Sequence, residues 1–262
     1  MQSTFSGIEL GKRGVLAHQR ALQTVGHNLT NASTEGYSRQ RIHLQATPPI
    51  YRPQLNRADT PGQIGQGVDI ARIERVRDQL LEGRIITSSG DQSYWETRDR
   101  YILQLEQVYN EVGESSVRNL MDKFWDSWQE LSLYPDQRAA REAVLQRGES
   151  LVDGVRLRYN SLDRIGSMAE QEIKGNVVQA NTLIRDIAAV NREITNVKAA
   201  GDSPNDLMDR RDLLVERLAG IMDITVDDRD PDEFSVYTAG FHIVQGRIAR
   251  PFDLVPDRAN QG

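Results

Sequence analysis

Apolar residues recur in steps of three and four from the first residue onward: Met1, Phe5, Ile8, Gly11, Val15, His18, Leu22, Val25, Leu29 and Ala32. This is the spacing of a coiled-coil seam and predicts one helix over residues 1 to about 33. Most intervening positions are Gln, Ser, Thr, Lys, Arg or Asn, so the stripe is too narrow to hold an isolated helix and requires partner helices. Polar and glycine punctuation over Asn31–Gly36 ends it. The period then changes to two. Ile42, Leu44 and Ala46 alternate with Arg41, His43 and Gln45, which is strand patterning. A proline- and glycine-bearing loop fills 52–67, and Val68, Ile70 and Ile73 resume the alternation, so residues 37–73 read as an irregular hairpin-like excursion.

Helical spacing returns from about Arg75 to Val112, with Leu80, Leu81, Ile85, Ile102, Leu105 and Val108 as its core face. The "TSSGDQS" run near Gly90 is a point where it kinks or splits. Ser115 or Ser116 then caps a helix whose Leu120, Met121, Phe124, Trp125, Trp128 and Leu131 form the most apolar face in the chain. Aromatics bury the most area per residue, so this face is expected to be the best-packed core. No proline interrupts Asp136 to about Ala200, and ~65 helical residues would reach roughly 100 Å. Leu151, Val155, Leu162, Ile165, Ile173, Val177, Ile184, Ile187 and Ile194 form its seam, and Gly148, Gly154, Gly166 and Gly175 are candidate bends. Around Pro204 the chain turns, with Asp202 or Ser203 as cap, into a second helix over Asn205–Gly220 antiparallel to the long one. "ITVDD", "EFSVYTAG" and "FHIVQGR" close the chain as short strands.

The expected fold is mainly α: an elongated antiparallel helical bundle with a long central helix, the hairpin excursion near 37–73 and a small β segment at the C-terminal end. The segments are 1–36, an N-terminal heptad helix that does not fold alone; 37–74, the excursion; 75–222, a helical rod; and 223–262, the start of a β-rich outer domain.

Composition narrows the class. The 262 residues are 38% hydrophobic and 27% charged, with a mean hydropathy of −0.56, which suits a wet helical architecture better than a deep enzyme core. Net charge is −6, yet residues 1–60 carry seven basic groups (Lys12, Arg13, Arg20, Arg39, Arg41, Arg52, Arg57) against Glu9, Glu35 and Asp59. With no run of like charge and only Phe5, Tyr37 and Tyr51 to stack on bases, this arm reads as partner-facing, not nucleic-acid-binding. There is no cysteine, hence no disulfide or thiolate site. The first residues lack the apolar core of a cleaved signal, and no stretch approaches the ~20 apolar residues of a membrane span.

No catalytic constellation emerges. His18, His27, His43 and His242 lie in unrelated contexts without a second metal ligand at a suitable spacing. "GQIGQG" at 62–67 lacks the dinucleotide-binding spacing and a preceding hydrophobic strand. The acids at 228, 230 and 232 imitate a calcium loop, but its glycine and distal glutamate positions hold Glu233 and Ala239, so the segment reads as an acidic hairpin turn. The reading is a non-enzyme with no cofactor and no metal.

The stretch "VGHNLTNASTEGYSRQR", Val25–Arg41, resembles the signature of bacterial flagellar axial proteins, an amphipathic helix ending in SNNIANxxTxGY. Asn28, Asn31, Ala32, Thr34, Gly36 and Tyr37 match, while His27 and Leu29 depart from it and Glu35 stands where proline is common. "GYSRQ" (Gly36, Tyr37, Ser38, Arg39, Gln40), "GES" at 113–115 and "NDLMDRRDLL" resemble the flagellar hook-associated protein 1 family. In the last segment Asn205, Asp206, Leu207, Asp209, Arg211 and Asp212 coincide with that family's NDLLDQRD.

The resemblance implies a structural adaptor of the flagellum that joins hook to flagellin filament by helical-tube assembly. Phe5, Ile8, Val15, Leu22, Val25 and Leu29 would bury against neighbouring copies, and Tyr37, Arg39 and Arg41 would lead to an outer domain. Implied partners are further copies of itself, the hook protein, the second junction protein with the flagellin side, and the type III export apparatus. The implied place is the flagellum, extracellular or periplasmic where the flagellum is internal. The resemblance also implies a C-terminal heptad helix, which this sequence ends before, so a fragment is expected. The alternatives are another rod or hook axial protein, or a cytoplasmic coiled-coil scaffold. The "NDLMDRRD" helix has its own local reading as a helix start with intrahelical pairs such as Asp206–Arg210.

Overall fold

The computed structural model describes residues 5–49, 65–109, 116–228 and 234–255. Met1, the loop residues Tyr51, Arg52, Arg57 and Asp59, the "GES" at 113–115 with Ser115, the acids Asp230 and Asp232, and the chain's last seven residues lie outside them. About 67% of the described residues are helical, and they form five helices and two small antiparallel sheets, as the hydrophobic periods predict. The chain divides into two compact units, residues 1–90 with 180–251 and residues 91–179 with 252–262.

In the first unit, α1 (Ser6–Thr30) ends where the backbone N–H of Asn31 closes on the His27 carbonyl at 3.1 Å. β1 (Gln40–Ala46) pairs antiparallel with β2 (Val68–Arg75), setting Gln40 opposite Arg75 and Ile42 opposite Ile73. A register shift after His43 breaks the expected alternation, so His43 is half-buried and Leu44 exposed. α1 lies against this hairpin by Ala17 and Thr24, which are buried, and by the half-buried Arg13, Ala21 and Asn28. These positions step by three and four along the helix side opposite the apolar stripe. Phe5, Ile8, Val15, Leu22, Val25 and Leu29 remain between 61% and 77% exposed.

The core is in this unit, around α4 (Arg138–Ala199) from residue 180 onward, α5 (Asn205–Ala219) and a four-stranded sheet of β3 (Thr225–Asp227), β4 (Ser235–Thr238), β5 (Phe241–Gln245) and β6 (Ile248–Ala249) in that order. Ile184, Ile187, Leu218, Val215, Val236 and Val244 are its largest fully buried side chains among the described residues. The Ala-Gly turn is a two-residue hairpin, with positive φ at Ala239 (46°) and Gly240 (83°), as a type I′ connection needs. Asn191 Nδ2 donates to the Gly246 carbonyl at 2.8 Å and pins α4 to the turn after β5. Pro204 occupies the cap position of α5 with no side-chain cap bond, so neither Asp202 nor Ser203 caps that helix.

The second unit holds the rest of α2 (Gln79–Tyr109), α3 (Val117–Leu133) and α4 up to residue 179. Ser116 is the cap of α3, its Oγ accepting the Asn119 N–H at 3.1 Å. α2 runs unbroken through Gly90, and α4 is continuous for 62 residues despite its glycines. Two of those glycines admit α3: a Cβ on Gly154 would lie 2.5 Å from Leu120 Cδ1, and one on Gly148 3.4 Å from the Phe124 ring.

The expected aromatic core is corrected here. Trp125 is 62% exposed and Trp128 47%, and Ser127 is the buried residue of α3. Small residues draw α3 close to α4 along the Leu120–Phe124–Ser127 edge, which turns the tryptophans outward. α2 likewise buries no residue, because its apolar side chains are spread around the helix instead of gathered on one face. Leu218→Ala is therefore expected to cost about 2–5 kcal/mol. Trp125→Ala is expected to cost under about 1 kcal/mol, as for other exposed sites. Urea unfolding followed by far-ultraviolet dichroism checks the contrast, and equal costs would return the core to α3.

Candidate functional site

The signature segment and the "NDLMDRRD" helix, 164 or more residues apart in sequence, meet in the first unit. α5 is positioned by its buried Val215, Leu218 and Ala219. That leaves Asn205, Asp206, Asp209 and Asp212, spaced by three and four, along one flank. Asp209, itself 5% exposed, accepts the backbone N–H of Ser38 at 2.9 Å on Oδ2 and Arg75 Nη1 at 2.9 Å on Oδ1. Asp212 accepts the same Arg75 nitrogen at 2.6 Å and Arg77 Nη1 at 2.9 Å. Arg77 forms a two-bond fork on Glu82, both contacts at 2.6 Å. Asp206 takes Gln40 Nε2 at 2.7 Å, and Asn205 Nδ2 donates to the Ile73 carbonyl at 3.1 Å.

These acids hold both strands of the hairpin. The intrahelical Asp206–Arg210 pairing is overturned: Asp206 reaches Gln40 and His27 instead. Burial alone would lower the pKa of Arg75, but the adjacent Asp212 and Asp209 outweigh it and hold the guanidinium above its ordinary value. Arg211, 3% exposed, stacks over the Phe234 ring at 3.7 Å and reaches Asp228 at 3.4 Å. Burial raises the pKa of Asp228 despite that cation. Leu207 is half-buried.

The signature residues complete the other side. Asn28 matches the backbone of Gln40 with two bonds, Nδ2 donating to its carbonyl at 2.9 Å and Oδ1 accepting its N–H at 2.8 Å. A side chain of α1 thus acts as a partner for the first residue of β1. Asn31 Nδ2 donates to the His27 carbonyl at 3.1 Å and its Oδ1 accepts Thr34 Oγ1 at 3.2 Å, shaping the turn. Gly36 follows with φ 77°, and a Cβ there would sit 3.1 Å from Leu213 Cβ of α5. Only glycine meets both the left-handed backbone and the close approach. Glu35 accepts Arg217 of α5 at 3.2 Å.

Tyr37 and Ser38 lie inside this clamp, whereas Arg39 is exposed and Arg41 pairs with Glu74 at 3.2 Å. Hydrogen bonds from His43 and Arg41 hold the Glu74 carboxyl below its ordinary pKa. Phe5, Ile8, Val15, Leu22, Val25 and Leu29 take no part in these bonds, although Val25 and Leu29 border a groove shared with Arg39, Gln40, Arg41 and Ile42. Arg75, Arg77 and Glu82 were not singled out from sequence; the signal was one arginine at the end of the second strand and one just after it, facing three acids far away in the chain. Among the described residues no group of three or more His, Asp and Glu is placed to hold a metal ion, and no helix is long and apolar enough to cross a membrane.

Asp209→Ala is expected to cost about 3–5 kcal/mol, toward the lower end because Asp212 still faces Arg75. Asp209→Asn, which keeps an acceptor for Ser38, is expected to cost less. Gly36→Ala is expected to cost about 1–2 kcal/mol from backbone strain alone. Urea unfolding of each variant measures these, and a neutral Asp209→Ala would mean that the hairpin is held elsewhere.

Comparisons with known proteins place this geometry. The family described as flagellar hook-associated protein FlgK helical domain matches residues 102–262. The chain is 34% identical over 226 residues to flagellar hook-associated protein 1 of Bacillus subtilis (strain 168), covering 86% of this chain and 45% of that protein. It is 30% identical over 251 residues to flagellar hook-associated protein 1 of Salmonella typhimurium, covering 94% of this chain and 44% of that one. The chain thus spans somewhat under half the length of these curated relatives. Its fold is similar to that of the flagellar hook junction protein FlgK from Burkholderia pseudomallei, with a TM-score of 0.57 and 19% identity over 64% of this chain and 30% of that one. With more than half of its residues matched, the chain belongs to the flagellar hook-associated protein FlgK family.

Proposed function

We propose that this chain is a structural, non-enzymatic part of the bacterial flagellum that joins hook to filament by packing into a helical tube. The observation that carries the reading is the division of α1. One face is fixed to the hairpin by small and polar groups, and the opposite face leaves six large apolar side chains bare. Fully burying such side chains stabilises by about 1.5–3 kcal/mol each, so covering this stripe yields on the order of 10 kcal/mol per copy before the costs of association. A stripe this narrow is best covered by neighbouring helices of the same kind, which makes other copies the first partner and a ring or helical array the product.

The relatives' names, hook-associated protein 1 and hook junction protein, support the hook as the second partner. The second junction protein with flagellin follows on the distal side. In this reading residues 1–36 enter the axial core, 37–74 lead outward, 75–222 make lateral contacts and 223–262 open an outer domain. The protein is exported through the type III channel and resides in the flagellum, outside the cell or in the periplasm.

The test mixes the full-length protein carrying this chain with purified hooks and sediments them. The paired substitution Val25→Asp with Leu29→Asp, on exposed positions, is expected to cut co-sedimentation at least about tenfold while leaving thermal stability within a degree or two. Flagellin should then polymerise only on hooks bearing the unaltered protein. Equal sedimentation of both proteins, or of neither, would remove the junction reading.

A further inference from the structure

Leu120 against Gly154 and Phe124 against Gly148 make α3 and α4 an antiparallel pair. Two right-handed helices running in opposite directions turn the residue that follows each contact to the same side of the pair. One position past the seam stand Met121, Trp125 and Trp128 on α3, and Leu145, Val152 and Tyr159 on α4. All six are exposed, Leu145 by 68% and Tyr159 by 69%. The opposite side is taken by α2: Gln104, Gln107 and Val108 share a groove there with Ser150, Asp153 and Leu157, each one position before the seam. One side of the α3–α4 pair thus faces a helix of its own chain, and the other is bare and aromatic.

Six side chains of this size leave on the order of 600 Å² in the open, at the upper limit of the largest apolar patch on an ordinary monomer. With their charged neighbours they approach the roughly 800 Å² that each side of a standard protein interface buries. Tryptophan and tyrosine are also the side chains that most often carry binding energy.

The ridge of α4 on this side identifies the partner. In steps of four and three it runs Arg141, Leu145, Glu149, Val152, Arg156, Tyr159 and Asp163, and all seven are exposed. Turned end for end about Val152, each member meets its complement. Arg141 falls on Asp163, Glu149 on Arg156, Leu145 on Tyr159, and Val152 on itself. The charges are free to pair outward. Arg141 donates to the neutral Pro135 carbonyl at 2.8 Å, and Arg156 approaches Asp153 at 3.9 Å with both side chains well exposed. The surface that matches this ridge is the same ridge running the other way, over about 33 Å of helix.

We propose that the bare side of the α3–α4 pair docks a second copy of this chain, with the two α4 helices antiparallel about Val152 and the two hairpins closing into a four-helix bundle. Phe124 lies level with Gly148, so Trp128 lies level with the turn of Leu145, where Tyr159 of the other copy arrives. Aromatic residues of both copies then meet at each end of the contact. A two-fold contact closes on itself and cannot extend into a tube, so this pair belongs to the free protein and uses none of the α1 stripe.

Sedimentation equilibrium of the full-length protein carrying this chain tests the proposal, in a Val25→Asp, Leu29→Asp background that silences the stripe. A reversible dimer is expected at about 10–100 μM protein. Val152→Asp sets two like charges face to face at an exposed position and is expected to raise Kd at least about tenfold. Glu149→Arg turns two attractions into repulsions and is expected to raise Kd roughly three- to tenfold. Adding Arg156→Glu to it should restore Kd to within about twofold, which a merely sticky surface would not do. Far-ultraviolet dichroism checks that each variant keeps its helices. A monomer at about 100 μM overturns the proposal, as does a dimer that Val152→Asp leaves intact or one in which Arg156→Glu does not repair Glu149→Arg. Binding to hooks is read separately, so neither result alters the junction reading.

Discussion

One carboxylate governs how the first ninety residues are placed. Asp209 accepts a backbone N–H from the lead-in to β1 and a guanidinium from the end of β2, so α5 grips both strands through one side chain. A lone two-stranded ribbon is marginal in water. This one is held because its two ends nearest α5 are bonded to a helix that is itself anchored in the core by Val215 and Leu218. Everything that rests on the ribbon, α1 included, takes its orientation from that buried acid. Removing the acid would leave a guanidinium that is 11% exposed with Asp212 alone and the Ser38 N–H without its acceptor, which makes the attachment costly to break even though it adds little apolar burial.

The choice of polar groups for this attachment has a consequence for α1. Had the helix been fixed to the hairpin by its leucines and valines, those side chains would be spent inside the subunit. Instead Ala17, Thr24 and Asn28 make the contact, and geometry comes from bonds of defined direction, such as the Asn28 match to the Gln40 backbone. Hydrophobic attraction is non-directional and hydrogen bonds are directional. Orientation is therefore set within the chain, and the apolar area is left for association.

What the sequence disclosed follows the same division. The seam of α1, the period change at β1, the uninterrupted length of α4 and the Ala-Gly hairpin are local patterns, and each is visible within a few residues. The clamp is not local. Asp206, Asp209 and Asp212 at steps of three look like an ordinary solvated helix flank, and nothing nearby indicates that Ser38 and Arg75 will arrive from 134 or more residues away. Motif resemblance marked Gly36 and the α5 acids as belonging together with the signature, but the reason, a left-handed turn pressed on Leu213, is a tertiary fact. Trp125 and Trp128 failed in the other direction. Their spacing describes an apolar face correctly, but spacing carries no information about which neighbour covers that face. Here Gly148 and Gly154 bring α4 against Leu120 and Phe124 instead.

If other copies cover the stripe, as proposed above, the separation of orientation from adhesion also bears on selectivity. A bare stripe alone would let copies associate at any angle, because apolar surface tolerates many arrangements. A stripe on a helix whose roll and exit are fixed by Asn28, Gly36 and Asp209 presents its large side chains at one azimuth relative to α5. Neighbours that meet it correctly bury Phe5 through Leu29 together; neighbours that meet it otherwise bury a few and strand the rest. Selectivity would then come from requiring the whole stripe at once, so the clamp, whose hydrogen bonds use none of those six residues, would control how strongly they act.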